Sequence, residues 1–320
     1  MEVISNFIIF FVGLLILIFS SGWMIQASVK VSYLFRLSPL FIGLILVAFG
    51  TSVPEAGVGI VAAIRNYRGV ALGNIIGSNI ANIGLILGIC ALFRPLGVNK
   101  SIFKREMPMM LASVLLLFIL SADLCISRID GIILLAGFVA FCIIAYTGGK
   151  KSFDTSEIDN FKLKSFLKKS ASTPLVLIII LLSLLGVFWG ANLMVNSGVL
   201  LAAAFGISPW VVGLTVFAIG TSLPELSASL TAAFKKVPSI SVGNIVGSNI
   251  FNILFILGVV ALVRPITISA EIFSLELPVL LIYSLAILVV MRTGFKITRW
   301  EGGALLLGYV GFLAALFLKR

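Results

Sequence analysis

Gly50-Thr51-Ser52-Val53-Pro54-Glu55 and Gly220-Thr221-Ser222-Leu223-Pro224-Glu225 lie 170 positions apart and repeat one another. Each sets a carboxylate inside an apolar run. An ionisable group at membrane depth costs several kcal/mol and is rarely left without a partner or a water-filled cavity. The surrounding sequence is that of a membrane protein: of 320 residues 60% are hydrophobic and 11% charged, with a mean hydropathy of +1.22. Apolar runs long enough to cross a bilayer core of about 30 Å fall at about 5–28, 39–64, 70–93, 107–122, 130–147, 174–197, 209–234, 240–263, 274–291 and 301–318. The first run lacks the basic start and small-residue cleavage pattern of a signal peptide and is read as a span.

The duplication continues beyond the glutamates. Gly73-Asn74-Ile75-Ile76-Gly77-Ser78-Asn79-Ile80-Ala81-Asn82 returns as Gly243-Asn244-Ile245-Val246-Gly247-Ser248-Asn249-Ile250-Phe251-Asn252. Pro39 and Gly43 match Pro209 and Gly213, and Arg94-Pro95 matches Arg264-Pro265. Two five-span units follow, 1–147 and 174–320, joined by a polar linker at 148–173. Because five is odd, the second unit enters the membrane from the opposite side. The expected fold is therefore an all-α polytopic membrane protein of ten transmembrane helices in two inverted five-helix repeats. Such architecture places a site between the repeats that opens alternately to either side.

Pro54 cannot donate to the Gly50 carbonyl, nor Pro224 to that of Gly220, so helices 2 and 7 are expected to break there. The preceding half-helices should end near Ala48 to Gly50 and Ala218 to Gly220, with carbonyls and a negative dipole end turned into the gap, as suits a cation. Thr51, Ser52, Thr221 and Ser222 add hydroxyl oxygens of the kind hard cations take. Two carboxylates neutralise one divalent ion. The competing reading is a capping box, in which Ser52 caps a new half-helix and Glu55 reaches back to it; such a cap needs no charge at membrane depth. Asn74, Ser78 and Asn82 share one helix stripe, as do Asn244, Ser248 and Asn252. Gly73, Gly77, Gly84 and Gly88 have the spacing that lets helices approach closely, and are expected to seat this stripe on the broken span.

The net charge of +11 belongs to membrane orientation rather than to a nucleic-acid partner. Loops after odd-numbered spans carry 17 of the 23 Lys and Arg residues, which places that side and the linker in the cytoplasm and both termini outside. Cys90, Cys125 and Cys142 lack metal-ligand spacing and read as small hydrophobes.

Paired in this order, the motifs resemble those of the calcium/cation antiporter superfamily, whose two repeats carry Gly-Thr-Ser-x-Pro-(Glu/Asp) followed by Gly-Asn-x-x-Gly-Ser. The chain is most similar to its prokaryotic sodium/calcium exchangers. The resemblance implies a cell-membrane antiporter that exchanges Na⁺ for Ca²⁺ and carries no cofactor. It implies that Glu55 and Glu225 hold Ca²⁺ with Thr51 and Thr221. Ser52, Ser78, Ser222 and Ser248, with the carbonyls of Ala48 and Ala218, would complete Na⁺ sites, and Asn82 and Asn252 would lie at the centre. The chain departs from many relatives in having no aspartate at either of these asparagine positions. It also reads Ala56-Gly57-Val58-Gly59 where the second repeat has Leu226-Ser227-Ala228-Ser229. Ca²⁺/H⁺ exchange is the nearest alternative and is disfavoured by the absence of histidine and of an acidic residue after Asn74 or Asn244. A passive cation channel would not need an inverted pair of broken helices. A membrane enzyme fits poorly, since no histidine-based catalytic motif or Walker loop is present.

Overall fold

A computed structural model describes residues 2–64, 68–151, 172–204, 220–270 and 272–318. The chain is almost wholly helical: α1 (Glu2–Phe35), α2 (Pro39–Thr51), α3 (Val53–Ile64), α4 (68–93), α5 (102–120), α6 (Arg128–Lys151), α7 (Thr173–Ala204), α8 (Leu223–Phe234), α9 (Pro238–Val263), α10 (Ile272–Arg292) and α11 (Arg299–Leu318). Among the described residues six of these are long and apolar enough to cross a membrane. The pair α2 and α3 makes a seventh candidate, bent by 45° at Ser52. This is a multi-pass membrane protein. Helices α4 and α9 are the most enclosed, whereas α1 turns large apolar side chains such as Phe11, Ile18 and Phe19 outward.

Local chemistry sets the helix ends. Ser38 caps α2, its Oγ accepting from Phe41 N at 3.2 Å, and Pro39 follows at a position whose N–H would be unused. Arg36 and Lys236 adopt positive φ just beyond the ends of α1 and α8, the left-handed turn that terminates helices, and Leu124 and Phe295 do so further on, immediately before Cys125 and Lys296. The entries of α6 and α11 match closely. Ser127 N donates to Asp130 Oδ2 at 2.7 Å and Asp130 N to Ser127 Oγ at 3.3 Å; Thr298 N donates to Glu301 Oε2 at 2.8 Å and Glu301 N to Thr298 Oγ1 at 3.3 Å. These are reciprocal capping boxes.

Two short antiparallel ladders repeat the same relation. Strand β1 (Leu96–Gly97) pairs with β4 (Lys296–Ile297), and β2 (Cys125–Ile126) with β3 (Ile266–Thr267). The register Leu96↔Ile297 has its counterpart in Ile126↔Ile266. Glycines seat the outer helices likewise: a Cβ on Gly302 would lie 2.9 Å from Gly88 O, and one on Gly131 2.8 Å from Gly258 O.

Three expectations change in detail. Helix α2 runs on to Thr51, because Ser52 N still reaches Ala48 O at 3.0 Å. The glycines Gly84 and Gly88 pack against Tyr283, Tyr309 and Gly302 of α10 and α11, not against the broken span; close contact with α2 is made by Gly243 and Gly247. Helix α6 continues past residue 147 to Lys151. Most of the expected linker, the first half of the seventh span and Ala218 lie outside the described residues.

Candidate cation site

Helix α9 lies along α2 with almost no space between backbones. A Cβ on Gly43 would stand 2.6 Å from Ile240 O, one on Gly243 2.7 Å from Leu40 O, and one on Gly247 2.2 Å from Leu44 O. Only glycine permits this approach, which carries the polar stripe of α9 to the break after Thr51. There Thr51 Oγ1 lies 3.2 Å from Asn244 Oδ1, and Ser52 Oγ lies 3.0 Å from Ser248 Oγ.

Glu55 and Glu225 are both 0% exposed, each on the first turn of the half-helix after the break. A helix N-terminus favours negative charge there. No Lys or Arg among the described residues pairs with either. Ser52 Oγ donates to Glu225 Oε1 at 2.8 Å, so the break of one repeat meets the carboxylate of the other. Reciprocally, Thr221 and Ser222 lie beside Glu55, and the two carboxylates are near enough to repel. The capping-box reading fails at both breaks: the Ser52 hydroxyl goes to the opposite repeat, and Ser222 makes no side-chain cap.

Neutral side chains hold the glutamates in place. Asn244 Nδ2 donates to Glu225 O at 3.3 Å and to Ser229 Oγ at 2.8 Å; Asn74 Nδ2 donates to Glu55 O at 3.4 Å. Ala48 O accepts from Ser52 N at 3.0 Å and lies 3.4 Å from Thr51 Oγ1, so the expected ion-ligand role of this carbonyl would compete with these bonds. Asn82 Nδ2 donates to Asn249 Oδ1 at 2.9 Å, and Asn252 Nδ2 to Asn79 Oδ1 at 3.2 Å. Asn79, Asn249 and Ser229, which hydrogen-bond to Asn252, Asn82 and Asn244, were not singled out by the sequence reading. Asn79 and Asn249 are themselves a 170-residue repeat within the quoted motif, which was the available signal.

Several buried oxygens are left without a hydrogen-bond partner: both of Glu55, Oε2 of Glu225, Oδ1 of Asn82 and of Asn252, and the hydroxyls of Ser78 and Ser222. Leaving buried carboxylate oxygens unsatisfied is costly. Two negative charges among neutral oxygens form the donor set that a hard cation satisfies. No group of three or more His, Cys, Asp or Glu gathers among the described residues. Neutral oxygens must therefore supply the rest of any coordination shell.

Known proteins resemble this chain in sequence and in fold along nearly its whole length. The chain is 36% identical over 310 residues to the putative antiporter CaxA of Alkalimonas amylolytica, with 96% of this chain and 97% of that one covered. It is 31% identical to the sodium/calcium exchanger MaX1 of Methanosarcina acetivorans, with 98% of each covered. Its fold matches the sodium-calcium exchanger NCX_Mj, soaked with zero Na⁺ and Ca²⁺, at a TM-score of 0.84 and 32% identity, covering 98% of this chain and 99% of that one. The sodium/calcium exchanger protein family profile matches residues 5–147 and 175–318, and the chain belongs to that family.

Proposed function

We propose that this protein is a secondary antiporter exchanging Na⁺ for Ca²⁺ across a membrane by alternating access, with Glu55 and Glu225 as the charged ligands both ions share. The observation that carries the reading is the set of buried, unpartnered oxygens around two facing carboxylates. Ca²⁺ takes Glu55 and Glu225 together with Thr51 and Thr221. Na⁺ ions take Ser52, Ser78, Ser222 and Ser248 with the carbonyls at the breaks, and Asn82 and Asn252 line the centre. Shared ligands make the two loads mutually exclusive. A site emptied of both leaves two buried like charges, so it resists the closed state that a carrier passes through, and that resistance couples the fluxes.

The ten-span inverted repeat is supported by the strand ladders. Helix α5, which covers most of the span expected at 107–122, separates β1 from β2, and taken as one span it sets them on opposite faces. Strand β3, the repeat counterpart of β1, pairs with β2, so counterparts occupy opposite faces, as inversion requires. Units 1–147 and 174–320 then flank a linker at 148–173, and α8 is the second half of a broken seventh span.

Purified protein in sealed vesicles loaded with Na⁺ should accumulate labelled Ca²⁺ from outside only while the outward Na⁺ gradient stands. Uptake driven equally by a pH gradient without Na⁺ would defeat Na⁺ coupling in favour of proton exchange. Counterflow of labelled Ca²⁺ against unlabelled Ca²⁺ separates a carrier from a channel.

The split of basic residues orients the chain with both termini outside. Single cysteines introduced within 152–171, on a background without Cys90, Cys125 and Cys142, should react with an impermeant maleimide from the cytoplasmic face only, and cysteines near residue 2 or 318 from outside only. The reverse pattern would invert the assignment.

A further inference from the structure

Asn82 and Asn252 can act as cation ligands only if their amides present oxygen rather than N–H to the site. An asparagine amide has two nearly isosteric orientations, and the surrounding hydrogen bonds decide between them. Here the decision is made outside the proposed ligand set. Asn249 Nδ2 donates to the backbone carbonyl of Asn79 at 3.4 Å and lies 3.9 Å from Met110 Sδ. A backbone carbonyl can only accept, so Asn249 must turn its nitrogen that way and its Oδ1 the other. That Oδ1 accepts from Asn82 Nδ2 at 2.9 Å, which leaves Asn82 Oδ1 as the end of the amide with no partner. The second repeat shows the same crossing: Asn79 Oδ1 accepts from Asn252 Nδ2 at 3.2 Å, and Asn252 Oδ1 is left over.

We infer that Asn79 and Asn249 are positioning residues for ion binding, each holding the central asparagine of the opposite repeat with its carbonyl oxygen free for a cation. The inference rests on the exchanger reading above. The two pairs are not equally secured. Asn79 Nδ2 is buried without a partner, and Leu280 stands at the position that repeats Met110, so no side-chain acceptor matches the sulfur there. The orientation of Asn82 is therefore fixed by a chain of bonds ending on backbone, and that of Asn252 by a single bond.

The test measures binding of ⁴⁵Ca²⁺ to purified full-length protein, comparing wild type, Asn249→Leu, Asn82→Ala and the double variant. Asn249→Leu should raise the half-saturating Ca²⁺ concentration about tenfold, as should Asn82→Ala, and the double variant should be no worse than Asn82→Ala alone, because a positioning residue has nothing left to position. Residues that act as one unit are non-additive in this way. Equal fold-losses from Asn249→Leu in both backgrounds would show general damage to the fold and overturn the inference, as would unchanged affinity in the single variant. If Asn249→Leu yields no folded protein, Asn79→Leu read against Asn252→Ala poses the same question in the other pair. Wild-type protein that binds no Ca²⁺ overturns the exchanger reading and this inference together, whereas wild-type binding with additive losses overturns the inference alone.

Discussion

Vesicles carrying Glu55→Gln or Glu225→Gln should show no Na⁺-driven Ca²⁺ uptake above the protein-free background. The amide keeps the shape of the carboxyl group and removes its charge from a site where both glutamates are fully enclosed and no basic residue among those described offsets them. Removing one carboxylate from a buried contact with a bound cation costs roughly 2–5 kcal/mol of binding, which is about one and a half to three and a half orders of magnitude in affinity. A second measurement guards against misfolding. In ion-free buffer the two carboxylates repel each other, so either variant should melt at or above the wild-type temperature while losing the rise in melting temperature that Ca²⁺ gives the wild type. Uptake near the wild-type rate in either variant would remove that glutamate from the site.

Gly247→Val should be nearly as damaging without touching an ion. Even the first added carbon would stand 2.2 Å from Leu44 O and 2.8 Å from Ala48 Cβ, so α9 must move away from α2. That displacement separates Thr51 from Asn244 and Ser52 from Ser248, contacts of 3.2 and 3.0 Å. Overpacking alone costs about 1–3 kcal/mol; transport should fall at least about tenfold, since misplacing ligands by an ångström is felt strongly. Gly137→Ala is the control. Among the described residues its Cβ would meet only Leu254 methyls at 3.5 and 3.7 Å, and both melting temperature and flux should hold. Normal flux in Gly247→Val would show that the close approach of these helices does not set the site.

Much of this arrangement was legible in the sequence because it is written in chemistry that tolerates little substitution. Proline placed the break to within a residue or two, and the repeated motif named the two carboxylates that the fold encloses. The 170-residue repeat showed that each part has a counterpart. What could not be read is what depends on the meeting of the two repeats. The Ser52 hydroxyl serves the glutamate of the other repeat, and Asn249 orients Asn82 across the same boundary. Neither partner is near in sequence or on one helix face. The π-helical stretches Asn82–Leu87 and Phe251–Ile256 were equally hidden, since a wider turn changes which residues face inward without changing composition. The strands escaped notice because two residues are too few to show an alternating pattern. The neighbours of Gly84 and Gly88 were misassigned for a related reason: small-residue spacing says that a helix approaches closely, not which one.

Strand β1 finds its partner two hundred residues later in the chain, and Ser52 reaches Glu225 across nearly as long a separation. Contacts of such long range are slow to form, because the intervening chain must first be brought back on itself. A chain emerging from the ribosome inserts Glu55 long before Thr221, Ser222 and Glu225 exist to share its surroundings. The enclosed pair of like charges therefore comes together only when the second set of helices docks on the first. Assembly of the fold and completion of the ion site are one late event, and a cation present at that moment does for the folding chain what it does for the finished carrier: it offsets the repulsion that opposes closure.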